Sequence, residues 1–384
     1  MKYFSADRIH DGRHWLPAGT IIETGADGII TALHAPGAVS PEQVQHFEGL
    51  LCPGFINAHC HLELSHMKGV ITEGNQLVPF LQSVMTGRNG FSEAEKAEAL
   101  REAIASMQRN GIVAVGDIAN GTDTLPYRPG ASFHIHTFIE SIGFTETKAE
   151  DRFAYAVQIH QQFSAQSSGD KQLRQTIVPH APYSVSGALF SLINKASGLL
   201  SIHNEETQAE LDLYESKEGA MFDLYQTLNI DASFFSPSGK TSLQTYLPLL
   251  PDRNPVILVH NTFMNEEDLA FLKQPGKEVY LCLCPNANWY IERRLPPVHS
   301  FLESGLPICL GTDSLASNHE LSIWNEVLTL QQHFPDIALE ELLCWATFNG
   351  AKALQMEDII GSISPGKQPG IIHIDKDNTL SVVM

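Results

Sequence analysis

The amino-acid sequence predicts an α/β protein, a (β/α)8 TIM-like barrel with a small β-sandwich domain built from both chain termini. Between residues 55 and 352, apolar strand-like segments alternate with helical patterns, as a series of βα units requires. The two ends of the chain instead contain short strand-like segments separated by Gly, Pro and Asp. A length of 384 residues suits a barrel of this kind with one appendage.

Residues 1–54 and 353–384 are predicted to combine into the small β-domain. Strand-like segments lie at 19–24 and 28–33 near the start of the chain. Near its end, residues 371–374 and 380–383 flank Asp375–Asn378, a segment typical of a hairpin turn. The barrel, residues 55–352, is therefore expected to be inserted between the two parts of this domain.

Eight apolar segments are the candidate barrel strands, which is the number that a closed (β/α)8 barrel needs. They are residues 53–57, 111–117, 132–140, 174–180, 199–203, 256–260, 279–284 and 307–311. One helix has clear end signals, because Ser92 and Glu95 have the spacing of a capping box and Gly111 follows as a stop signal.

The composition suggests a soluble protein in a reducing cytoplasm. A formal net charge of −20 opposes binding to nucleic acid or to an anionic membrane. No apolar run approaches the ~20 residues of a membrane span, and the first residues lack the apolar core of a signal peptide. The six cysteines are expected to be buried thiols. Cys282 and Cys284 could also be interpreted as a metal pair, but their spacing fits one face of a strand in the core.

His59 and His61 are the most informative residues of the chain. They follow the first barrel strand at a spacing of two, so both imidazoles leave the strand on the same side. Further candidates end other strands at the rim where barrel enzymes place their catalytic groups, namely His180, His203, His260 and Asp313. A single strand-end His is more often a packed core residue, and Asp after Gly-Thr is more often a turn residue. Since five strands place such a residue at the same rim, packing and turn roles do not explain all of them.

The chemistry of these residues suggests separate roles. His59, His61, His203 and Asp313 form a set of three nitrogens and one oxygen with an open position for water, as catalytic zinc requires. Glu206, three residues after His203, is placed for proton transfer. His260 is expected to orient or polarise the water, with Asp313 helping to accept its proton. His180 is expected to face the substrate.

In these segments the chain resembles the amidohydrolase superfamily, and within it the ATZ/TRZ-type aminohydrolase branch. That branch includes deaminases of aminodeoxyfutalosine, S-adenosylhomocysteine and methylthioadenosine. The segments are PGFINAHCHLELS (53–65), PHAPYS (179–184), HNEE (203–206), VHN (259–261), CPNAN (284–288) and LGTDSLASN (310–318). The resemblance implies one divalent metal on the four ligands, catalytic roles for Glu206 and His260, and a homodimer. Zinc is favoured, and iron or manganese would also suit these ligands.

Two-metal relatives place a bridging, carboxylated lysine at the end of the fourth strand. No lysine ends that strand here, and the third strand ends in Glu140, which supports one metal rather than two. Two departures from the family pattern stand out. Cys60 replaces the commoner Thr between the first two histidines. The tail, PGKQPGIIH at residues 365–373, lacks the usual Ala-Asp after its lysine.

The predicted reaction is hydrolytic deamination of a 6-aminopurine nucleoside. Residues 61–69 resemble the aminodeoxyfutalosine deaminases, so this menaquinone precursor is favoured over S-adenosylhomocysteine and methylthioadenosine. A guanine deaminase, a chlorohydrolase, a cyclic amidase and a metal-free scaffold would also be compatible with a chain of this kind. The predicted lid segments 62–90 and 207–245 would set specificity.

The expected substrate contacts are His180, Asn288 and Glu63. For Asn288, loop capping is an equally good interpretation, and Glu63 could instead form a surface salt bridge to Lys68. Arg293 and Arg294 are a further candidate for a substrate carboxylate, against a solvated loop.

Overall fold

The computed structural model describes residues 1–167, 172–196, 198–274 and 276–384. The strands in these residues are β1 (Lys2–Ile9), β2 (Ile21–Thr24), β3 (Ile30–His34), β4 (Val44–Pro53), β5 (Phe55–Cys60), β6 (Ile112–Ala119), β7 (His134–Ser141), β8 (Leu173–Pro179), β9 (Leu200–Asn204), β10 (Val256–His260), β11 (Val279–Leu283), β12 (Ile308–Leu310), β13 (Ile371–Ile374) and β14 (Leu380–Val382).

The α-helices are α1 (Leu77–Gly87), α2 (Glu93–Arg109), α3 (Ala149–Ser167), α4 (Gly187–Ala196), α5 (Gln208–Ser216), α6 (Ala220–Thr227), α7 (Ser242–Tyr246), α8 (Glu266–Leu272), α9 (Pro285–Glu292), α10 (Val298–Ser304), α11 (Ile323–His333), α12 (Leu339–Cys344) and α13 (Gly350–Ala353). A π-helical turn, Trp345–Asn349, joins α12 to α13. Short 3-10 helices span Pro41–Gln43, Leu62–Met67, Leu125–Gly130, Glu146–Lys148, Pro182–Ser184 and Leu247–Leu249.

The eight predicted central strands are confirmed as β5 to β12, with ends that differ by a few residues. They form two four-stranded parallel sheets, ordered β5-β6-β7-β8 and β12-β11-β10-β9. At their carboxyl ends the sheets touch along both edges. The His203 amide donates to the His180 carbonyl over 3.0 Å, and the Thr312 and Asp313 amides donate to the His59 carbonyl over 3.0 and 3.1 Å. These bonds gather the strand ends around one opening.

Strands from both chain ends share a third, mixed sheet, ordered β14-β13-β4-β1-β2-β3. Strand β13 pairs antiparallel with β4, and Ile371 lies opposite Pro53. The predicted C-terminal hairpin is confirmed as β13 and β14, and Asn378 takes a left-handed φ of 63° in its turn. The strands of the described residues make one sheet here and do not include the second sheet of the predicted sandwich.

Local signals act as predicted in α2 and in the core. Ser92 and Glu95 form a reciprocal capping box at the start of α2, and Gly111 leaves its end with φ 69°. The thiols of Cys282 and Cys284 are fully buried, and the groups able to hold a metal among the described residues do not include them. The core interpretation of this pair is therefore confirmed.

A second apolar cluster lies apart from the main core and covers the carboxyl ends of the strands. It combines residues of α1, α5 and α6, including Leu77, Phe80, Met221 and Leu224, with residues of other segments, such as Phe144 from the loop after β7. The two predicted lid segments thus pack against each other above the strand ends. No helix of the described residues combines the length and apolar character needed to cross a bilayer.

Candidate metal centre and active site

Four side chains from three separate strand ends converge at the opening. His59 and His61 come from the end of β5, His203 from β9, and Asp313 from the loop after β12. Their ligand atoms all lie within 4.8 Å of one another, and all four residues are buried. The predicted set of three histidines and one aspartate is therefore brought together by the fold.

The spacing within this four-ligand cluster fits a tetrahedral metal site. Nε2 of His61 lies 3.2 Å from Nε2 of His59, 3.3 Å from Nε2 of His203 and 3.3 Å from Oδ1 of Asp313. Ligands about 2.05 Å from a tetrahedral ion lie about 3.3 Å apart. Nδ1 of His203 donates to the His180 carbonyl over 2.8 Å, so its Nε2 keeps the lone pair that a metal needs. The residues present therefore fit a divalent ion.

The electrostatics of the cluster also suit a cation. Burial lowers the pKa of His61 to about 3 and holds the pKa of His203 well below its usual range. Burial would raise the pKa of Asp313, but the hydrogen bond from His59 and the nearby imidazoles bring it well below the ordinary value. Neutral imidazoles beside an ionised carboxylate are the protonation states that metal binding requires.

Strained turns aim the side chains that follow the strands. Asp313, His260 and Glu205 all take left-handed φ angles, of 56°, 73° and 45°, which non-glycine residues rarely adopt. Gly311 allows the close approach of β12 to β5, because a Cβ there would lie 2.9 Å from the Cβ of His59. Ser317 donates to the second oxygen of Asp313, which fixes the orientation of that carboxylate.

Glu206 and His260 form a buried pair beside the four-ligand cluster. Oε1 of Glu206 lies 3.5 Å from Nε2 of His260. Burial, followed by the charges of Asp313 and Glu210, raises the pKa of Glu206 well above its ordinary value. Nδ1 of His260 donates to Oδ1 of Asn288 over 2.8 Å, so Nε2 faces Glu206 as an acceptor. The pair can therefore pass a proton.

The structure places Asn288 outside the cavity lining. Sequence reasoning expects this residue to contact substrate, but it is 2% exposed, and the cavity described below is not lined by it. The Asn288 side chain instead binds His260 at two points. Its Oδ1 accepts from Nδ1 of the His260 ring, and its Nδ2 lies 3.5 Å from the His260 backbone carbonyl. A local signal in α9 could not reveal a partner 28 positions away.

His180 and Glu140 both line the cavity. Nδ1 of His180 donates to Ser184 over 2.7 Å, and burial lowers its pKa to about 4, so Nε2 is available as an acceptor. Glu140, His180 and His203 form a second close group, with Glu140 3.4 Å from Nδ1 of His203. Since that nitrogen already donates to a carbonyl, Glu140 supports His203 rather than adding a ligand.

Glu63 also lines the cavity, but its partner differs from the one considered in the sequence. It is buried, and it pairs with Arg88 over 3.2 Å rather than with Lys68. Its second oxygen accepts from the backbone amide of Asn120 over 2.9 Å. Asn120 donates from its side chain to both Glu63 and Glu140, over 3.2 and 3.0 Å, so the two buried carboxyls are bridged.

The cavity above the cluster has a volume of about 480 Å³, a size suited to a small-molecule ligand. Its floor carries the acids and histidines described above. Its walls are apolar and consist of Leu64, Leu77, Phe80, Leu81, Val84, Met85, Ile142, Phe144, Met221, Leu224, Leu228 and Ile230, with Tyr183 and Tyr225. The lining also includes three cations, Arg88, Lys148 and Arg152.

Arg293 and Arg294, considered as contacts to a substrate carboxylate, lie elsewhere. Arg293 pairs with Glu73, and Arg294 lies over the ring of Phe263, 4.3 Å from its centroid. The cationic lining comes instead from Arg88 and from the segment after β7, which sequence reasoning missed. The position of Glu140 near the end of β7 could have indicated that it lies at the site. Arg88 follows α1, and no strand end or motif in the sequence marks it.

Parallel βα strands, a His3Asp cluster and an adjacent buried acid define a metal-dependent hydrolase. The chain belongs to the amidohydrolase family, whose family model matches residues 50–384. The predicted resemblance and the predicted mixed α/β fold are thereby confirmed.

Deaminases are similar to this chain along most of its length. A Helicobacter pylori protein named adenosine deaminase is 29% identical over 335 residues, which cover 85% of this chain and 79% of the relative. A 5-methylthioadenosine/S-adenosylhomocysteine deaminase of Halalkalibacterium halodurans is 27% identical, covering 91% of this chain and 79% of the relative. The solved Helicobacter pylori aminofutalosine deaminase, in complex with methylthio-coformycin, has a TM-score of 0.81 at 25% identity, covering 97% of this chain and 91% of that one. The prediction of an enzyme that hydrolyses C–N bonds is confirmed at this level.

Proposed function

We propose that this protein is a metal-dependent hydrolytic deaminase of a 6-aminopurine nucleoside, with aminodeoxyfutalosine as the favoured substrate. The observation that carries the reaction is the Glu206–His260 pair, 3.5 Å apart, next to four converging metal ligands on the floor of one cavity. Such a floor combines a place to activate water with a group that can protonate the purine ring. Both are needed to replace an aromatic amino group with oxygen.

A divalent ion on His59, His61, His203 and Asp313, with zinc favoured, would supply Lewis acidity and lower the pKa of a water molecule. Burial raises the pKa of Glu206, which favours its acid form, and in the proposed first step this carboxyl donates its proton to the ring nitrogen beside the amino-bearing carbon. The carbon becomes electrophilic, and the water oxygen adds to it. Nε2 of His260 takes one water proton, with Asp313 assisting.

The remaining steps return every proton to its place. The proton taken by His260 reaches the amino group through Glu206, the C–N bond breaks, and ammonia leaves. The second water proton restores the Glu206 carboxyl as the oxygen added to the carbon becomes a carbonyl. Asn288 holds His260 with Nε2 toward Glu206 throughout, through the 2.8 Å bond at Nδ1. Nε2 of His180 can accept a hydrogen bond from the nucleoside.

The preference for aminodeoxyfutalosine is supported by the cavity walls. Its 5′ extension is a carboxylated aromatic ketone, which needs a large apolar surface and a cation. The lining offers both, because Phe80, Phe144 and their apolar neighbours stand with Arg88, Lys148 and Arg152. Among the described residues the lining contains four acids, of which Glu63 is paired with Arg88, while Glu140, Glu206 and Asp313 lie beside or within the four-ligand cluster. S-adenosylhomocysteine also carries an ammonium group, which these cations would disfavour.

The test is ammonia release by purified, metal-analysed protein from a panel of substrates. The panel contains aminodeoxyfutalosine, S-adenosylhomocysteine, methylthioadenosine, adenosine, guanine and a chlorinated triazine. We expect the highest kcat/KM with aminodeoxyfutalosine. Higher values with S-adenosylhomocysteine or methylthioadenosine would keep the chemistry and change the substrate. Release from none of the aminopurine nucleosides would overturn the proposal.

We also propose the finer architecture that the sequence predicts. In this proposal the two parallel sheets close into one (β/α)8 barrel over residues 55–352, and residues 1–54 with 353–384 form a separate β-domain. The hydrogen bonds from His203 to His180 and from Asp313 to His59 support closure. Zinc loading, a homodimer and a cytoplasmic location remain predictions, which metal analysis, light scattering and fractionation would test.

A further inference from the structure

The turn that presents Glu206 is held by a buried acid from the next helix, Glu210. The amides of Glu205 and Glu206 donate to Oε1 and Oε2 of Glu210 over 3.1 and 3.3 Å. Ser242, the first residue of α7, donates a further hydrogen bond to Oε1. Glu210 has no exposed surface, so its carboxyl is fully committed to these three donors.

The hydrogen bonds of Glu210 differ from those of an ordinary capping box at the start of a helix. Glu210 is the third residue of α5, the position from which a capping-box acid accepts the amide of the N-cap residue. Here the N-cap residue is Thr207, and the acid accepts instead from the two residues before it. The shift draws the backbone between β9 and α5 into a tight turn, in which Glu205 has its left-handed φ.

The same turn is joined to the strand that carries His260. The amide of Phe263 donates to the Glu205 carbonyl over 2.8 Å, and the amide of Asn261 donates to the Asn204 carbonyl over 3.0 Å. The side chain of Asn204 also donates to Asn261 over 3.0 Å. The backbone that Glu210 holds is therefore the backbone that sets Glu206 opposite its partner on β10.

We propose that Glu210 is a positioning residue for the deamination reaction, which acts by clamping the Glu205–Glu206 turn so that the Glu206 carboxyl faces His260. The inference rests on the proposed function of Glu206 in proton transfer. Glu210 does not line the cavity and does not belong to the four-ligand cluster. Its removal should therefore affect turnover more than substrate binding or metal content.

The decisive variant is Glu210→Gln in the full-length, metal-loaded protein. Glutamine keeps the size of the side chain, but it presents one acceptor oxygen, and its NH2 group meets a backbone amide that is itself a donor. With the panel substrate that the wild type deaminates best, we expect kcat to fall at least tenfold, KM to change less than threefold and metal to stay stoichiometric. A crystal structure should show Glu206 displaced from His260.

Glu95→Gln is the matched control, because it alters the same residue type at the same helix position in the capping box of α2, outside the cavity lining. It should leave kcat unchanged. Should Glu210→Gln fail to fold, Ser242→Ala removes one of the donors and should lower kcat at constant KM.

An unchanged kcat in Glu210→Gln, or in Ser242→Ala where that replaces it, would overturn the inference. So would an equal loss of metal and activity, or a crystal structure that keeps the 3.5 Å approach of Glu206 to His260. A wild type inactive on every nucleoside would refute the proposed function instead, and the crystal structure of the variant would still decide whether Glu210 holds the turn.

Discussion

Replacing Glu206 with Gln is expected to remove deaminase activity while leaving the fold and the metal centre in place. Glu206 is not one of the four ligands, and its carboxyl lies 3.5 Å from Nε2 of His260. Burial raises its pKa well above the ordinary value, which favours the protonated, neutral carboxyl. Glutamine matches that state in volume and charge, but it cannot release a proton.

The expected magnitude follows from this difference. A positioned general acid or base contributes about 10²- to 10⁴-fold to the rate, so kcat should fall by that factor, or about 3–5 kcal/mol in activation free energy. Substrate binding uses other parts of the cavity, so KM should change less than about threefold. A neutral side chain replaces a neutral side chain of similar volume, so Tm should shift by only a few degrees.

The assay measures ammonia release and the ultraviolet change from aminopurine to oxopurine, with metal content and Tm determined on the same preparation. The Glu95→Gln variant controls for the effect of a glutamate-to-glutamine change elsewhere. A Glu206→Gln protein with activity within threefold of the wild type at equal metal content would refute the proton-transfer role. Loss of metal together with activity would show that Glu206 supports the ligands instead.

Three further predictions concern the approach of the strands, pH and specificity. Gly311→Ala places a Cβ 2.9 Å from the Cβ of His59. The free energy of unfolding should therefore fall by about 1–3 kcal/mol, and the purified protein should contain less than one equivalent of metal. Full metal content at unchanged Tm would contradict this. Burial lowers the pKa of His136 to about 3, so the native state binds fewer protons than the unfolded state, and stability present above pH 6.5 declines as the pH falls. Between pH 6.5 and 4.5, the free energy of unfolding measured in urea should therefore fall by about 2 kcal/mol less in His136→Gln than in the wild type. Equal decreases in the two proteins would refute this. Arg88→Met should lower kcat/KM for a carboxylated substrate about 10- to 100-fold, but it should lower kcat/KM for methylthioadenosine less than threefold. Arg293→Met should leave kcat/KM for both substrates unchanged. Equal losses for the two substrates in Arg88→Met would exclude a carboxylate contact.

The sequence was sufficient for the strands and for the cluster of ligands. Each central strand is a short apolar run, and the residues at or just after the ends of β5, β9 and β12 are polar types that metals bind. Because parallel strands place their carboxyl ends at one rim, the chain order of His59, His203 and Asp313 was enough to predict that they meet. These are local signals combined with one rule of topology.

The tertiary structure alone decided which side chains pair above and behind that rim. Glu63 pairs with Arg88, and Asn288 holds His260 instead of lining the cavity. Glu210 reaches backward to the turn before its helix. Each contact joins loops or helix ends. These segments have no regular pattern of apolar residues, so the sequence does not indicate which of their side chains meet. Metal ligands lie at or just beyond the ends of strands whose spacing is set by backbone hydrogen bonds, whereas these partners depend on how the connecting segments pack.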